Sequence, residues 1–254
     1  MKKKRLVVKI GTNAITNPDA SLNHELIREV VAQLAQLRES HDIVLVSSGA
    51  MGCGRSILKD REMRYDETTS RQLYAVVGQV KLMDTYADLF KEHGIIIAQM
   101  LATRQDFENR THHLNTKNCL ESLFREDIIP VVNENDFVCV EELMFSDNDE
   151  LAGILSKMLF VDRLIILSNV DGVYDEDGEV MEEFNFDAEV PPSIVSGDKS
   201  SFGKGGMQNK FKIAATVARH GTEVHIANSK ADDVVLSLVR GEAVGTRFIP
   251  KKDH

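Results

Sequence analysis

A chain of 254 residues is long enough for one large α/β domain or two modest ones. Its composition, 43% hydrophobic with 6% aromatic residues and no Trp, describes a core of Val, Ile, Leu, Ala and Met. The formal charge of −10 and pI near 5.3 argue against a surface that coats nucleic acid.

Three cysteines, Cys53, Cys119 and Cys139, are odd in number and have no paired spacing, which argues against a disulfide scaffold or a zinc site and fits a reducing cytoplasm. The eight histidines are scattered, with no helical pair at metal-ligand spacing, so no side-chain metal site is expected. Met1-Lys2-Lys3-Lys4-Arg5 is basic like the start of a signal peptide, but the apolar stretch 6–10 contains Lys9 and stops at Gly11. No exported or membrane-spanning segment is expected.

The first predicted strand, 6–10, delivers Lys9-Ile10-Gly11-Thr12-Asn13 at its C-terminal end, where parallel α/β sheets bind ligands. Lys9 interrupts an apolar run and needs an anion or carboxylate partner, unless the strand lies at an edge. A helix over 22–39 and a strand over 43–46 follow. Next comes Ser47-Ser48-Gly49-Ala50-Met51-Gly52-Cys53-Gly54-Arg55-Ser56, whose glycines let backbone N–H groups approach an anion. Its spacing nearly matches a P-loop, but Arg55 stands where the lysine belongs, so that reading is weak.

A helix over 70–92, a strand over 94–99, a helix over 113–125 and a strand over 128–132 lead into Asn133-Glu134-Asn135-Asp136. The stretch 137–144 reads as a strand of a hairpin or flap. Ser146-Asp147-Asn148-Asp149 opens a helix over 147–159, so Asp147 or Asn148 serves equally well as an N-cap or as a ligand group. A buried strand over 164–167 ends in Ser168-Asn169. Residues 173–184 read as a hairpin turning at Asp177-Gly178, whose acids lack calcium-loop spacing.

Residues 187–206 lack periodicity and are expected to be a mobile loop. It runs into Gly203-Lys204-Gly205-Gly206-Met207-Gln208-Asn209-Lys210 and a helix over 207–220, a combination that can wrap phosphates with Lys210 pointing at the anion. A strand over 223–227, a helix over 231–239 and a strand over 245–249 complete the chain. The alternation predicts a three-layer α/β/α sandwich on a mostly parallel open sheet. No repeat or linker divides it, so 1–254 is expected to be a single domain, with a boundary near 150 separating lobes.

In this order, Val8-Lys9-Ile10-Gly11-Thr12, Val46-Ser47-Ser48-Gly49-Ala50, Val132-Asn133-Glu134-Asn135-Asp136, Asp147-Asn148-Asp149 and Gly203 to Met207 with Lys210 resemble the amino-acid kinase family. Gly78-Gln79 and Gln99-Met100-Leu101 add to the likeness, which is strongest to members that phosphorylate the side-chain carboxylate of free glutamate at the start of proline synthesis. The resemblance implies an N-terminal lobe (1–150) that binds L-glutamate and a C-terminal lobe (151–254) that binds ATP.

Lys9, Lys210 and Asp149 match the family's catalytic positions: two lysines on the moving phosphoryl group and a carboxylate that orients them. Ser48, Gly49, Ala50, Asn133, Asp136 and Asn148 match glutamate-binding positions. Lys9, Ser168, Asn169, Lys204, Gly205, Gly206, Met207, Gln208, Asn209 and Lys210 match ATP-binding positions. Mg²⁺ is expected to arrive on the nucleotide phosphates, and a homo-oligomer (dimer or tetramer) and a downstream glutamyl phosphate reductase are the implied partners; neither nucleic acid nor membrane is.

Lys204 and Gln208-Asn209 replace a common Thr and Ser-Thr, and Ser168-Asn169 replaces a common Thr-Asp. The chain is also expected to lack the RNA-modifying-enzyme-like (PUA) module that follows in many bacterial relatives. The alternatives are a kinase for another small acid such as N-acetylglutamate, and a non-catalytic nucleotide or amino-acid sensor on the same fold.

Overall fold

The computed structural model describes residues 2–62, 64–138, 147–185 and 204–251. In chain order the elements are β1 (Lys4–Ile10), α1 (Thr12–Ile15), α2 (His24–Leu37), β2 (His41–Ser47), α3 (Ala50–Ile57), α4 (Glu67–Glu92), β3 (Ile97–Ala102), α5 (Gln105–Glu108), α6 (Arg110–Arg125) and β4 (Ile129–Glu134). They continue with α7 (Asn148–Leu159), β5 (Arg163–Ser168), β6 (Glu183–Phe184), α8 (Lys204–Arg219), β7 (Glu223–Asn228), α9 (Val234–Arg240) and β8 (Thr246–Phe248).

The strands form one eight-stranded sheet in the order β3-β4-β2-β1-β5-β7-β8-β6. Pairing is parallel except between β7 and β8. The inner strands β1, β2, β4 and β5 are buried on both faces, which is why they read as unbroken Val, Ile and Leu runs rather than as an alternation. Side chains on a strand point alternately to its two faces. Leu6, Val8 and Ile10 accordingly pack with α2, α4 and α9 residues such as Val31, Leu82 and Leu238. Val7 joins the opposite core, with Leu151 and Leu155 of α7 and Phe211 of α8. Lys9 shares the parity of Val7 and so faces the α7 and α8 layer.

The expected three-layer sandwich is thus present, with two additions at its far edge. The strand β8 returns antiparallel beside β7, and the two-residue β6 pairs with it. The hairpin near Asp177-Gly178 is a turn closed by a Tyr174–Val180 bridge, with Gly178 at φ 83°. Phe137 and Val138 lie in a turn rather than in a strand. The remainder of the predicted flap, and most of the predicted mobile loop at 187–206, fall outside the described residues.

Helices α3 and α4 meet backbone to backbone at Gly54 and Gly78. A Cβ on Gly78 would lie 1.8 Å from the Ala50 carbonyl oxygen and 2.5 Å from the Gly54 nitrogen. Gly→Ala inside a helix ordinarily gains about 1 kcal/mol. Here neither backbone can yield, so Gly78→Ala is expected to destabilise by about 3 kcal/mol, read as a fall in the urea midpoint at unchanged m-value. This contact anchors the start of α3, and with it the turn after β2, where Gly49 is left-handed at φ 101°.

Candidate active site

Strand order reverses beside β1: β2 lies on one side and β5 on the other. Ligands of open α/β sheets bind at the carboxyl ends of strands at such a point. A cleft of about 410 Å³ opens there, bounded by Lys9 and Gly11 to Asn13 after β1, Ser48 after β2, Ser168 and Asn169 after β5, Asp147 before α7, and Gly206, Met207 and Lys210 of α8.

At its floor the Asp149 carboxylate, 0% exposed, bridges two lysines. Its Oδ1 lies 2.5 Å from Lys9 Nζ and its Oδ2 lies 2.5 Å from Lys210 Nζ. Lys9 is 3% exposed. Burial acts to raise the Asp149 pKa, but the two ammonium groups outweigh it and hold the carboxyl below the usual range. Lys9 is pushed below the usual lysine range by burial and by Lys210, against the pull of Asp149. Two cations share one anion, so the triad itself carries an excess of positive charge, which suits an incoming phosphate.

Asp149 is carried by the first turn of α7. Asp147 is the N-cap: its Oδ1 accepts from the Asp149 and Glu150 N–H groups at 2.9 and 3.2 Å. Its Oδ2 accepts from Asn209 Nδ2 of α8 at 2.9 Å, so one carboxylate caps α7 and ties it to the helix that brings Lys210. Gly153 allows this approach, since a Cβ there would lie 3.0 Å from Ile213.

Beside the triad, Asn148 Nδ2 donates to Ser48 Oγ at 2.8 Å and to Asn133 Oδ1 at 2.9 Å. Asn133 and Asn148 are buried. Ser47, next to Ser48, shares a hydrogen bond of 2.8 Å with the fully buried Tyr86 hydroxyl. Gly49 and Ala50 open α3 at the same turn. The structure therefore unites Lys9, Lys210 and Asp149 in one group and Ser48, Asn133 and Asn148 in an adjoining one.

Other predicted residues sit apart. Asp136 lines a neighbouring cavity of about 260 Å³ with Gln79, Gln99, Glu134 and Asn135, and burial raises its pKa against the influence of Arg71. Ser168, Asn169, Gly206 and Met207 line the main cleft. Gln208 lies on α8 outside that lining, and Asn209 faces the groove between α7 and α8. Lys204 and Gly205 begin α8, but their side-chain surroundings fall outside the described part.

Asp147 and Gln79 are among the polar site residues left out of the predicted site, as are Thr12 and Asn13 at the main cleft and Gln99, Glu134 and Asn135 at the second cavity. Asp147 was visible as a cap, and Gln79 only as the neighbour of Gly78. Among the described residues no three His, Cys, Asp or Glu side chains gather as a metal site, and no helix is long and apolar enough to cross a membrane.

A cleft of about 410 Å³ with paired lysines at the switch point of this sheet is the arrangement of a phosphoryl-transfer enzyme, and the chain belongs to the amino acid kinase family, whose sequence profile matches residues 4–228. Among its curated relatives, the glutamate 5-kinase of Bacteroides thetaiotaomicron is 41% identical, the alignment covering 98% of this chain and 71% of the relative. That of Chlorobaculum tepidum is 42% identical over 98% of this chain and 70% of its own. The crystal structure of a T. acidophilum isopentenyl phosphate kinase product complex superposes with a TM-score of 0.67 at 14% identity, covering 96% of this chain and 99% of that one. It bears on the fold alone.

Proposed function

We infer that this chain is a kinase that transfers the γ-phosphoryl group of ATP to the γ-carboxylate of L-glutamate, giving L-glutamyl 5-phosphate and ADP, the first step of proline synthesis. The observation that carries this reading is the Asp149 carboxylate held between Lys9 and Lys210, in a chain whose relatives are glutamate 5-kinases.

The chemistry needs little more. The glutamate γ-carboxylate is ionised at neutral pH, so one of its oxygens attacks the γ-phosphorus without a strong base. A new P–O bond forms, the bond to the β-phosphate oxygen breaks, and ADP departs with the electron pair. Charge on the transferring group is met by Lys9 and Lys210, already fixed on Asp149, so little reorganisation accompanies the step. Asp149 positions the two ammonium groups; both of its oxygens face lysines.

Residues 1–150 supply the glutamate side through Ser48, Gly49, Ala50, Asn133, Asp136 and Asn148. Residues 151–254, with Lys9 reaching across, supply the ATP side through Ser168, Asn169 and 204–210. The first turn of α8 offers N–H groups and the positive end of its dipole to phosphate. The donors around the cleft suit Mg²⁺ carried on the nucleotide phosphates, where it would neutralise part of their charge. Free Cys53 and Cys119 support a cytoplasmic setting. A homo-oligomer is the expected assembly, and a glutamyl phosphate reductase the expected consumer of the labile acyl phosphate.

Free glutamate is favoured over an N-acylated one because Asn148 Oδ1 is buried with no hydrogen-bond partner among the described residues, and Asp136 places an acidic group in the neighbouring cavity; both suit an α-ammonium. With ATP, Mg²⁺ and hydroxylamine, glutamate is expected to yield hydroxamate, and N-acetylglutamate and aspartate little. Folded protein that gives none from glutamate would exclude the reading, and product from N-acetylglutamate alone would assign the rival substrate. Asp136→Ala is expected to raise the glutamate KM by about tenfold to a hundredfold, the equivalent of about 1.5–3 kcal/mol for a charge-assisted hydrogen bond. The kcat should stay within a few-fold of wild type in the same assay.

A further inference from the structure

The amide side chains linking the two cavities form a hydrogen-bonded relay whose direction the backbone dictates. The Glu134 N–H donates to Asn133 Oδ1 at 2.9 Å, and a peptide N–H can only donate. Asn133 must therefore turn Nδ2 toward Gln79, whose Oε1 accepts it at 2.9 Å. Asn148 must offer Nδ2 to Asn133 Oδ1, and the second hydrogen of that Nδ2 goes to Ser48 Oγ. Reversing either asparagine or Gln79 would set donor against donor or acceptor against acceptor.

Two atoms are left over at the ends of this relay. Gln79 Nε2 is a donor and Asn148 Oδ1 an acceptor; both are buried and neither has a hydrogen-bond partner among the described residues. Leaving such a group unmatched is costly, and most buried polar atoms in native proteins are matched. Orphans of opposite sense suit a ligand that carries a carboxylate and an ammonium side by side.

We propose that Gln79 is a specificity-determining residue of the amino-acid site: its Nε2 donates to the α-carboxylate of the substrate, whose α-ammonium is accepted by Asn148 Oδ1 and Asp136. The proposal deepens the glutamate kinase reading and rests on it. Gln79 is 8% exposed and lines the same cavity as Asp136. Its main chain is pinned by the contact of neighbouring Gly78 with α3, so the amide is presented from a rigid position. An acid lacking the α-carboxylate leaves the Gln79 orphan unmatched, and one lacking the ammonium leaves that of Asn148. Sites built on buried polar groups reject such analogues strongly.

Gln79→Met removes both donor and acceptor at similar volume. Gln79→Glu, assayed at pH 8.5 to keep the new carboxyl ionised, preserves an acceptor for Asn133 Nδ2 but puts a negative charge where the donor was. With ADP release measured at saturating ATP and Mg²⁺, both variants are expected to raise the glutamate KM at least tenfold, Gln79→Glu the more. Their kcat should stay within threefold and their ATP KM unchanged. A wild-type KM in Gln79→Glu would mean that Gln79 only buttresses Asn133, and would overturn the proposal. An unchanged KM in both variants, or a joint loss of kcat and ATP affinity, would overturn it equally. Should one variant fail to fold, the other decides. Wild-type protein without glutamate-dependent ADP release would bring down the kinase reading and this proposal together; wild-type turnover with unaffected variants brings down the proposal alone.

Discussion

Asp149→Ala is expected to lower kcat by on the order of 10³ or more and to destabilise the fold by about 3–5 kcal/mol, the range measured when one partner is removed from a buried ion pair. The carboxylate is fully buried, and Lys9 is 3% exposed, so the substitution strands an ammonium group in the protein interior opposite a second one on Lys210. Lys9 then relieves the cost by losing its proton, and the charge that would meet the phosphoryl group goes with it. Urea denaturation and ADP release check the two effects separately. Asp149→Asn, which keeps the volume, should recover part of the packing but little of the rate. An alanine variant with wild-type stability, or with kcat within tenfold of wild type, would contradict the role assigned to the triad.

Lys210→Ala is expected to lower kcat by on the order of 10² or more, about the effect of removing one preorganised charge donor. The glutamate KM should change little, because the interaction is made mainly in the transition state. Lys210 retains 17% side-chain exposure, and its loss leaves Lys9 and Asp149 as an intact pair, so it is expected to cost less stability than loss of Asp149. Paired with Asp136→Ala, it tests the division into lobes. Should Lys210→Ala raise the glutamate KM at normal kcat while Asp136→Ala slows turnover, the two lobes have been assigned the wrong way round.

Much of this was legible because buried parallel strands advertise themselves as apolar runs. A lysine inside such a run, at position 9, has to find an anion. What the sequence does not carry is which face each helix covers: the parity of β1 puts Lys9 with Val7, but only the fold puts α7 and Asp149 on that face. Strand β3 begins at Ile97, three residues later than the apolar run suggested. Gly94 turns at φ 67°, and the Ile95 N–H closes back onto the Phe90 carbonyl. At Asp147 the sequence offered a cap or a ligand group, and the structure uses one oxygen to cap α7 and the other to hold Asn209. Gln79 was hidden for a further reason: a glutamine in the middle of a 26-residue helix looks ordinary until the relay of Asn133 and Asn148 leaves its Nε2 with no partner among the described residues.

The fate of the carboxylate oxygen tests the central claim most directly. Glutamate labelled with ¹⁸O in both γ-carboxylate oxygens, incubated with enzyme, ATP and Mg²⁺, should form an acyl phosphate bridged by a labelled oxygen. When the α-amine closes on the γ-carbonyl carbon, phosphate leaves with that oxygen. The account predicts one ¹⁸O in each released phosphate, seen as an isotope shift in the ³¹P spectrum. Unlabelled phosphate released in a glutamate-dependent reaction would mean that water or another oxygen had attacked the γ-phosphorus, and would contradict transfer to the γ-carboxylate.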